Sequence, residues 1–376
     1  MRTAKSAGIA MRVLPKKKSP RSVLAVLAVA VTVTACSLTK PAPPPDRGSG
    51  EFMKAVVFRS YGSPDVLRIE EVERMLPRDD QVLIKVRAAA ANPLDWHFMR
   101  GTPYIVRLTA GLRKPKKTRL GADVSGEVVA VGRNVTHFKP GDAVFGIGAG
   151  TFAEYARAPE NTLALKPANL TFEQAAGAGV AAVTALQGLR DKGRLQPGQK
   201  VLINGASGGV GTFAVQIAKS LGAEVTGVCS TRNVDLVRSL GADHVIDYAR
   251  DDFTLSTQRY DLILDNVGNQ PLSAVRRVMT RKGIYVMIGG SNEGRWIGPM
   301  GRAAKAYLYS PLVSQEFGMM LASAGAEDFA ALKQLMETNK VTPVIDRTYP
   351  LSEISSAIRY LEEGHARGKV VIAVSP

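Results

Sequence analysis

Val201-Leu202-Ile203-Asn204-Gly205-Ala206-Ser207-Gly208-Gly209-Val210-Gly211 decides the fold, because an apolar run gives way to glycines where a helix should begin. Val201, Leu202 and Ile203 read as a buried parallel strand. From Thr212 to Leu221 apolar residues recur at helical spacing, at Phe213, Ile217 and Leu221. The turn between the two must be tight. Glycine permits the positive φ such a turn needs, and the bare N–H groups at the helix start, aided by the helix dipole, suit a phosphate. Ala206, Gly208 and Gly211 fall on the three special positions of the dinucleotide fingerprint, with Gly209 extra and Ser207 and Val210 between them. A second strand, Glu224 to Val228, follows Gly222-Ala223, so strand, turn, helix and strand form one βαβ unit. The competing reading is a glycine-rich turn with no ligand.

The end of the second strand bears on the cofactor. An NAD site usually carries an acidic residue there to hold the ribose 2′-hydroxyl. Here the chain reads Cys229-Ser230-Thr231-Arg232, with no carboxylate to repel a 2′-phosphate and with hydroxyls and a guanidinium to bind one. NADPH is expected over NADH. Otherwise Arg232 merely caps its loop in solvent.

At 376 residues with 45% hydrophobic content, the chain is long enough for two or three domains with ordinary cores. Its net charge of +16 is uneven: residues 1–52 hold nine Lys/Arg against two acidic residues. The excess elsewhere accompanies no recognisable nucleic-acid module and no interleaving of aromatic and basic residues, so no nucleic-acid partner is expected. Binding of phosphate-rich cofactors accounts for it more economically.

The leader is basic from Arg12 to Arg21, free of charge from Val23 to Ala35, and then reaches Cys36. The apolar run is too short for a comfortable membrane span and has signal-peptide proportions. Val33-Thr34-Ala35-Cys36 is similar to a bacterial lipobox, and Lys40 to Pro45 would be a stiff tether. Against export, a reduced-nicotinamide enzyme needs a cofactor pool. Met53-Lys54-Ala55-Val56-Val57 also reads as a natural start preceded by a linker, Gly48 to Phe52. A cytoplasmic enzyme is expected, and a lipoprotein anchored through Cys36 stays open.

Cysteine usage removes the common metal sites. Only Cys36 and Cys229 exist, and His97, His137, His244 and His365 are scattered without metal-ligand spacing, so no metal is expected. Before the βαβ unit, short apolar strands separated by turn residues run over Lys54–Phe58, Leu67–Val72, Gln81–Ala88, Gly126–Val131 and Asp142–Gly146, as a barrel-like β domain requires. After it, Asp261–Asp265 and Ile284–Ile288 read as further strands of the parallel sheet, separated by a helix from about Pro271 to Met279. Lys369–Val374 is a last strand, returning to the first domain.

From Met53 to Pro376 the chain resembles the medium-chain dehydrogenase/reductases, and within them the zinc-free quinone oxidoreductase, or zeta-crystallin-like, branch. The resemblance is carried by the opening Lys54-Ala55-Val56-Val57-Phe58, Asn92-Pro93-Leu94-Asp95, Gly121-Ala122-Asp123, Lys139-Pro140-Gly141-Asp142, the glycine turn, Leu240-Gly241-Ala242-Asp243, Asp247-Tyr248, Asp265-Asn266-Val267-Gly268 and Gly368-Lys369. Where zinc alcohol dehydrogenases carry a zinc-binding cysteine and histidine, this chain has Asn92-Pro93 and Gly121-Ala122-Asp123, and the four-cysteine lobe is missing. Without a Lewis acid, release of hydride from an alcohol becomes hard, whereas reduction of an electron-poor acceptor stays easy.

The resemblance implies an α/β fold, with a Rossmann doubly wound parallel sheet (175–311) and a GroES-like β-barrel domain (53–174 with 312–376) after the leader, 1–52. It implies NADPH in the cleft between them, near Asn92, Asn266, Val267, Gly289 and Gly290, with Tyr248 and Lys369 near the adenosine phosphate or pyrophosphate. Hydride would pass to a quinone or to the β-carbon of an α,β-unsaturated carbonyl, with Asn92 orienting substrate or cofactor amide, or else serving only as a turn residue before Pro93. Tyr104 would orient or help protonate the acceptor. The basic run Tyr104–Lys117 reads as a lid over an anionic acceptor or as a solvated loop, and Trp296–Phe317 as a cleft wall or dimer surface. Relatives commonly form homodimers through the Rossmann edge. The alternatives are an enoyl-thioester reductase, a zinc-free alcohol dehydrogenase, and a non-catalytic NADPH-binding protein.

Overall fold

A computed structural model describes residues 48–290 and 298–375; the leader to residue 47 with Cys36, and Trp296, lie outside the described residues. The chain lays down β1 (Gly48–Val57), β2 (Arg68–Met75), β3 (Gln81–Ala91), β4 (Asp123–Val131), β5 (Ala143–Ile147), β6 (Tyr155–Pro159) and β7 (Leu163–Leu165). It continues with β8 (Lys200–Asn204), β9 (Glu224–Cys229), β10 (His244–Asp247), β11 (Tyr260–Asp265), β12 (Met279–Met287) and β13 (Glu316–Met319), and ends with β14 (Ile345–Pro350) and β15 (Lys369–Ala373).

Three sheets result among the described residues: the β1–β2 hairpin, a seven-stranded sheet with β3 at its centre, and a six-stranded sheet in the order β10-β9-β8-β11-β12-β13. The hairpin closes onto the larger sheet through Val56 N to Phe152 O and Glu154 N to Lys54 O. The seven-stranded sheet and hairpin form the GroES-like barrel, and the six-stranded parallel sheet is the Rossmann unit. Its order reverses at β8, the switch point at which open α/β sheets bind ligands.

Period-two alternation sorts the parallel core. Val201 and Ile203 face the cluster that holds Phe213 and Ile217 of the helix Gly209–Ser220, while Leu202 faces Ile263, Tyr285 and Phe317 on the other side. Both faces are buried, which explains an unbroken apolar strand. In the barrel, Val82, Ile84, Val86, Val124, Val144 and Val370 fill the interior. The run Ala88 to Ala91 gives β3 a narrow end against which β15 pairs.

Two boundaries differ from the sequence reading. Gly48 to Phe52, read as a linker, is the first half of β1, with Gly48 opposite Met75 and Phe52 opposite Glu73. The parallel sheet also runs on past residue 311, because β13 at Glu316–Met319 pairs in parallel with β12; the chain rejoins the barrel only at β14. Both were hidden for one reason: at a sheet edge the chain has half its pairing partners and carries a weak pattern.

Candidate active site

The glycine turn meets the barrel at one point. Gly368, just before β15, forms a parallel bridge with Gly208, and its N–H donates to Ser207 O at 2.9 Å. This places the helix start Gly209–Gly211 against the end of the barrel that carries Asn92. The turn itself depends on Gly205, whose φ is +77°, and on Gly211, where a Cβ would lie 2.1 Å from Gly205 O. The sequence reading put Ala206 in the first special position. The residue whose backbone requires glycine is the one before it, while fully buried Ala206 packs beneath Gly227.

Asn92 is fixed from three sides. It precedes the helix Pro93–Arg100 in extended backbone, and its N–H donates to Asp95 Oδ2 at 2.8 Å. Its Nδ2 donates to Ala90 O at 3.3 Å, and its Oδ1 accepts from Lys369 Nζ at 2.6 Å. Lys369 is the residue whose role sequence reasoning misplaced. Expected near a cofactor phosphate, its ammonium instead donates to Asn92 Oδ1, to Asp123 Oδ2 at 3.0 Å and to Ala91 O at 3.3 Å. Three donors and three acceptors leave none over. The stem of Lys369 still touches the cradle, since a Cβ on Gly209 would meet its Cδ at 3.3 Å. Asp123 in turn accepts from Val180 N at 2.7 Å, at the start of the helix Val180–Gln187, and so ties the barrel to the Rossmann side.

Asp95 completes the cluster. Burial pushes its carboxyl up to about 7, with Asp123 adding to the rise and the N–H groups of Asn92 and Gly121 working against it. Its neighbours define a loop-holding role: one oxygen receives Asn92 N and the other Gly121 N.

The opposite wall comes from the ends of β11 and β12. Asp265, fully buried, accepts from Val267 N at 3.0 Å, Gly268 N at 2.8 Å, Asn204 Nδ2 at 2.9 Å and the Tyr285 hydroxyl at 2.7 Å. It thereby shapes the loop Asn266–Gly268. A Cβ on Gly289 would lie 2.2 Å from Asn266 O, and one on Gly268 would lie 2.9 Å from Gly290 Cα, so these two loops pack backbone to backbone. The loop Asn266–Gly268 therefore sits beside Gly289 and Gly290.

At the ribose end, Ser230 sits with Ser207 around Asn233, whose Nδ2 donates to Ser207 Oγ at 2.9 Å and to Ser230 Oγ at 3.1 Å. The sequence reading passed over Asn233. Its one signal was a polar residue three after Ser230, too weak to distinguish from a helix start. Arg232 donates to His365 O at 3.0 Å, the loop-capping alternative. Tyr248 N donates to Cys229 O at 3.0 Å, so its backbone is held at the end of β9, and its side chain is exposed. Although the stretch 229–232 has no acid, Asp247 on the neighbouring strand accepts from Thr231 Oγ1 at 2.6 Å.

Tyr104 is not drawn to Asn92 by these bonds. The Arg107 guanidinium lies 4.8 Å from its ring centroid and donates to Gly101 O. This places the Tyr104 ring near the loop that follows the helix Pro93–Arg100, itself roughly 12 Å long for eight residues.

A dinucleotide fits this cradle. The glycines leave no Cβ between helix start and ligand, and two buried side-chain oxygens along it, Asn233 Oδ1 and Asn266 Oδ1, have no protein partner. A zinc ion does not fit. Among the described residues no group of three or more His, Cys, Asp or Glu is placed to hold a metal, and the space between Asn92 and Asp123 holds the Lys369 ammonium, which repels a second cation.

Known proteins resemble this chain over most of its length. The family description Alcohol dehydrogenase GroES-like domain matches residues 78–168, and Zinc-binding dehydrogenase matches residues 240–372. The mitochondrial NAD(P)H oxidoreductase RTN4IP1 of Mus musculus is 36% identical, covering 88% of this chain and 93% of its own length. The chloroplastic NADPH-dependent alkenal/one oxidoreductase of Arabidopsis thaliana is 34% identical, over 86% of this chain and 80% of its own. Among solved structures, the quinone oxidoreductase from Coxiella burnetii superposes with a TM-score of 0.77 at 32% identity, covering 86% of this chain and all of the other.

Proposed function

The chain belongs to the zinc-free, quinone oxidoreductase type of medium-chain dehydrogenase/reductases, and from that premise we propose that it reduces quinones or α,β-unsaturated carbonyls with NADPH. The observation that carries the reading is Asn92, locked by Lys369 and Asp95 at the meeting point of barrel and glycine turn. NADPH, when bound, supplies the hydride. The N–H groups of Gly209, Val210 and Gly211 at the helix start would hold its pyrophosphate, and Asn266 and Asn233 would offer their unpartnered oxygens along the cradle.

Asn92 uses one Nδ2 hydrogen on Ala90 O and keeps the other for an acceptor carbonyl or the cofactor amide. Because Lys369 holds the amide oxygen, the second N–H is fixed in direction and would meet the oxygen that gains negative charge without reorganisation, and preorganisation of that kind is the main source of such catalysis. Ser230 and Arg232 stay within reach of a 2′-phosphate at the end of β9. An acceptor of this kind is already electron-poor, so positioning and one hydrogen bond suffice where an alcohol would need a Lewis acid.

The need for a reduced-nicotinamide pool supports a cytoplasmic setting, and no helix among the described residues is long and apolar enough to cross a membrane. A homodimer is supported by exposed Leu308, Leu312 and Leu321, which flank the edge strand β13 in sequence. The test is NADPH oxidation by the purified protein against quinones, enones, aldehydes and enoyl thioesters, with NADH in parallel. Turnover on quinones or enones supports the proposal. Tight NADPH binding with no turnover on any acceptor would overturn it in favour of a non-catalytic binder.

A further inference from the structure

The segment Leu108 to Lys117, which the active site does not use, is built as a rigid outward loop. A helical turn at Arg107–Ala110 ends at Gly111, and Lys116 N donates back to Ala110 O at 2.7 Å, closing the loop. The Tyr61 hydroxyl clamps its base by donating to Gly111 O at 2.6 Å. Gly111 has φ of +121°, and a Cβ there would lie 2.1 Å from Lys114 O, so only glycine allows the closure. The loop shape is therefore fixed.

What this platform presents is unusual for a solvated loop. Leu108 and Leu112 are 67% and 68% exposed. Around them Arg113, Lys114, Lys116 and Lys117 are exposed, and none pairs with a carboxylate among the described residues. Arg107, by contrast, is spent on Gly101 O and the ring of Tyr61. Two exposed leucines beside four unpaired cations match the interface of an anionic bilayer, where leucine enters the acyl boundary and lysine and arginine meet the headgroups. A nucleic acid fits less well: its phosphates would use the cations, but nothing would use the leucines, and the loop offers no aromatic ring for a base to stack on. We propose that Leu108–Lys117 is a membrane-docking loop for anionic phospholipid surfaces, acting independently of the leader.

The test is sedimentation of the full chain with vesicles of phosphatidylglycerol and phosphatidylcholine, against phosphatidylcholine alone, at low and high salt. Two variants share the same leader: Lys114→Glu/Lys117→Glu, and Leu108→Ser/Leu112→Ser, each first shown to unfold at the parental temperature. The parent binds the anionic vesicles and loses binding in high salt, and each variant binds at least about tenfold more weakly. Equal binding to both vesicle types, or variants that bind like the parent, would overturn the proposal. So would charge variants that bind vesicles normally but raise the KM for an enoyl thioester, which would make the loop a lid over an anionic acceptor. A leucine variant with undiminished binding alongside equally tight binding of duplex DNA would also overturn it, in favour of a phosphate-backbone partner.

Discussion

Replacing Lys369 by Met tests the centre of the site, because it removes an ammonium while keeping most of its stem. The ammonium is buried, its side chain 3% exposed, and it pairs with Asp123, which is fully buried. Without it, Asp123 keeps the hydrogen bond from Val180 N, and Asn92 Oδ1 loses its 2.6 Å bond. Breaking a buried pair from one side costs about 3–5 kcal/mol, much more than an exposed pair, because the surviving charge stays desolvated. At about 2–4 °C per kcal/mol for domains of this size, the unfolding midpoint should fall by roughly 6–20 °C. A second variant separates stability from function. Lys369→Met/Asp123→Asn removes both charges yet keeps an oxygen for Val180 N, so most of the lost stability returns. Activity does not return with it, since Asn92 remains unanchored, and kcat/KM stays about 10- to 100-fold down. The assay is thermal unfolding alongside NADPH oxidation on the best acceptor. A single variant that melts within about 2 °C of the parent would refute the ion-pair argument. A double variant with parental kcat/KM would refute the dependence of Asn92 on Lys369.

Other outcomes follow from the same geometry. Ser230→Asp/Arg232→Ala puts a carboxylate where a 2′-phosphate would lie and removes a cation, so the ratio of kcat/KM for NADPH over NADH should drop at least about tenfold; an unchanged ratio would move the phosphate site elsewhere. Activity should survive dialysis against a strong chelator, and loss that zinc restores would contradict the donor set around Lys369. Asp95 links stability to pH: its folded carboxyl holds a proton to about 7, against an ordinary 3.8, so the folded state binds more protons between those values. Its contribution is fully present below about pH 4 and is lost as pH rises through about 7, a change on the order of a few kcal/mol. Urea midpoints across that window should slope less in Asp95→Asn than in the parent, whatever the variant's absolute stability.

How far the sequence alone reached depends on whether a feature is local or long-range. The strand Val201–Ile203, the glycine turn and the following helix were legible because each is determined within a few residues: apolar run, positive-φ glycine, helical spacing. Even there the reading slipped by one. The fingerprint assigns its first position by spacing, whereas Gly205 takes the positive φ because the chain leaves the strand one residue earlier. Lys369 shows the other limit. It lies 277 residues from Asn92 and 246 from Asp123, and a lysine after a glycine near a phosphate turn reads naturally as a phosphate ligand.

Only the pairing of β15 with β3 turns that ammonium toward the barrel, and no local pattern encodes a pairing between strands so far apart. The same reasoning explains Asn233 and Asp247, whose partners Ser207 and Thr231 come from other segments of the nucleotide unit. In each case the residue type suggested a polar contact, and the topology decided with what. That division bears on the chemistry. The glycine turn is local and could be read from one strand and one helix start, whereas Asn92, Asp123 and Lys369 are brought together at the ends of β3, β4 and β15, all from the barrel. With Asn92 meeting the acceptor as proposed, substrate choice rests on residues that only the fold brings together. Changes near Asn92, Asp123 and Lys369 should alter which acceptor is reduced and leave cofactor preference intact, whereas changes at Ser230 and Arg232 should do the reverse.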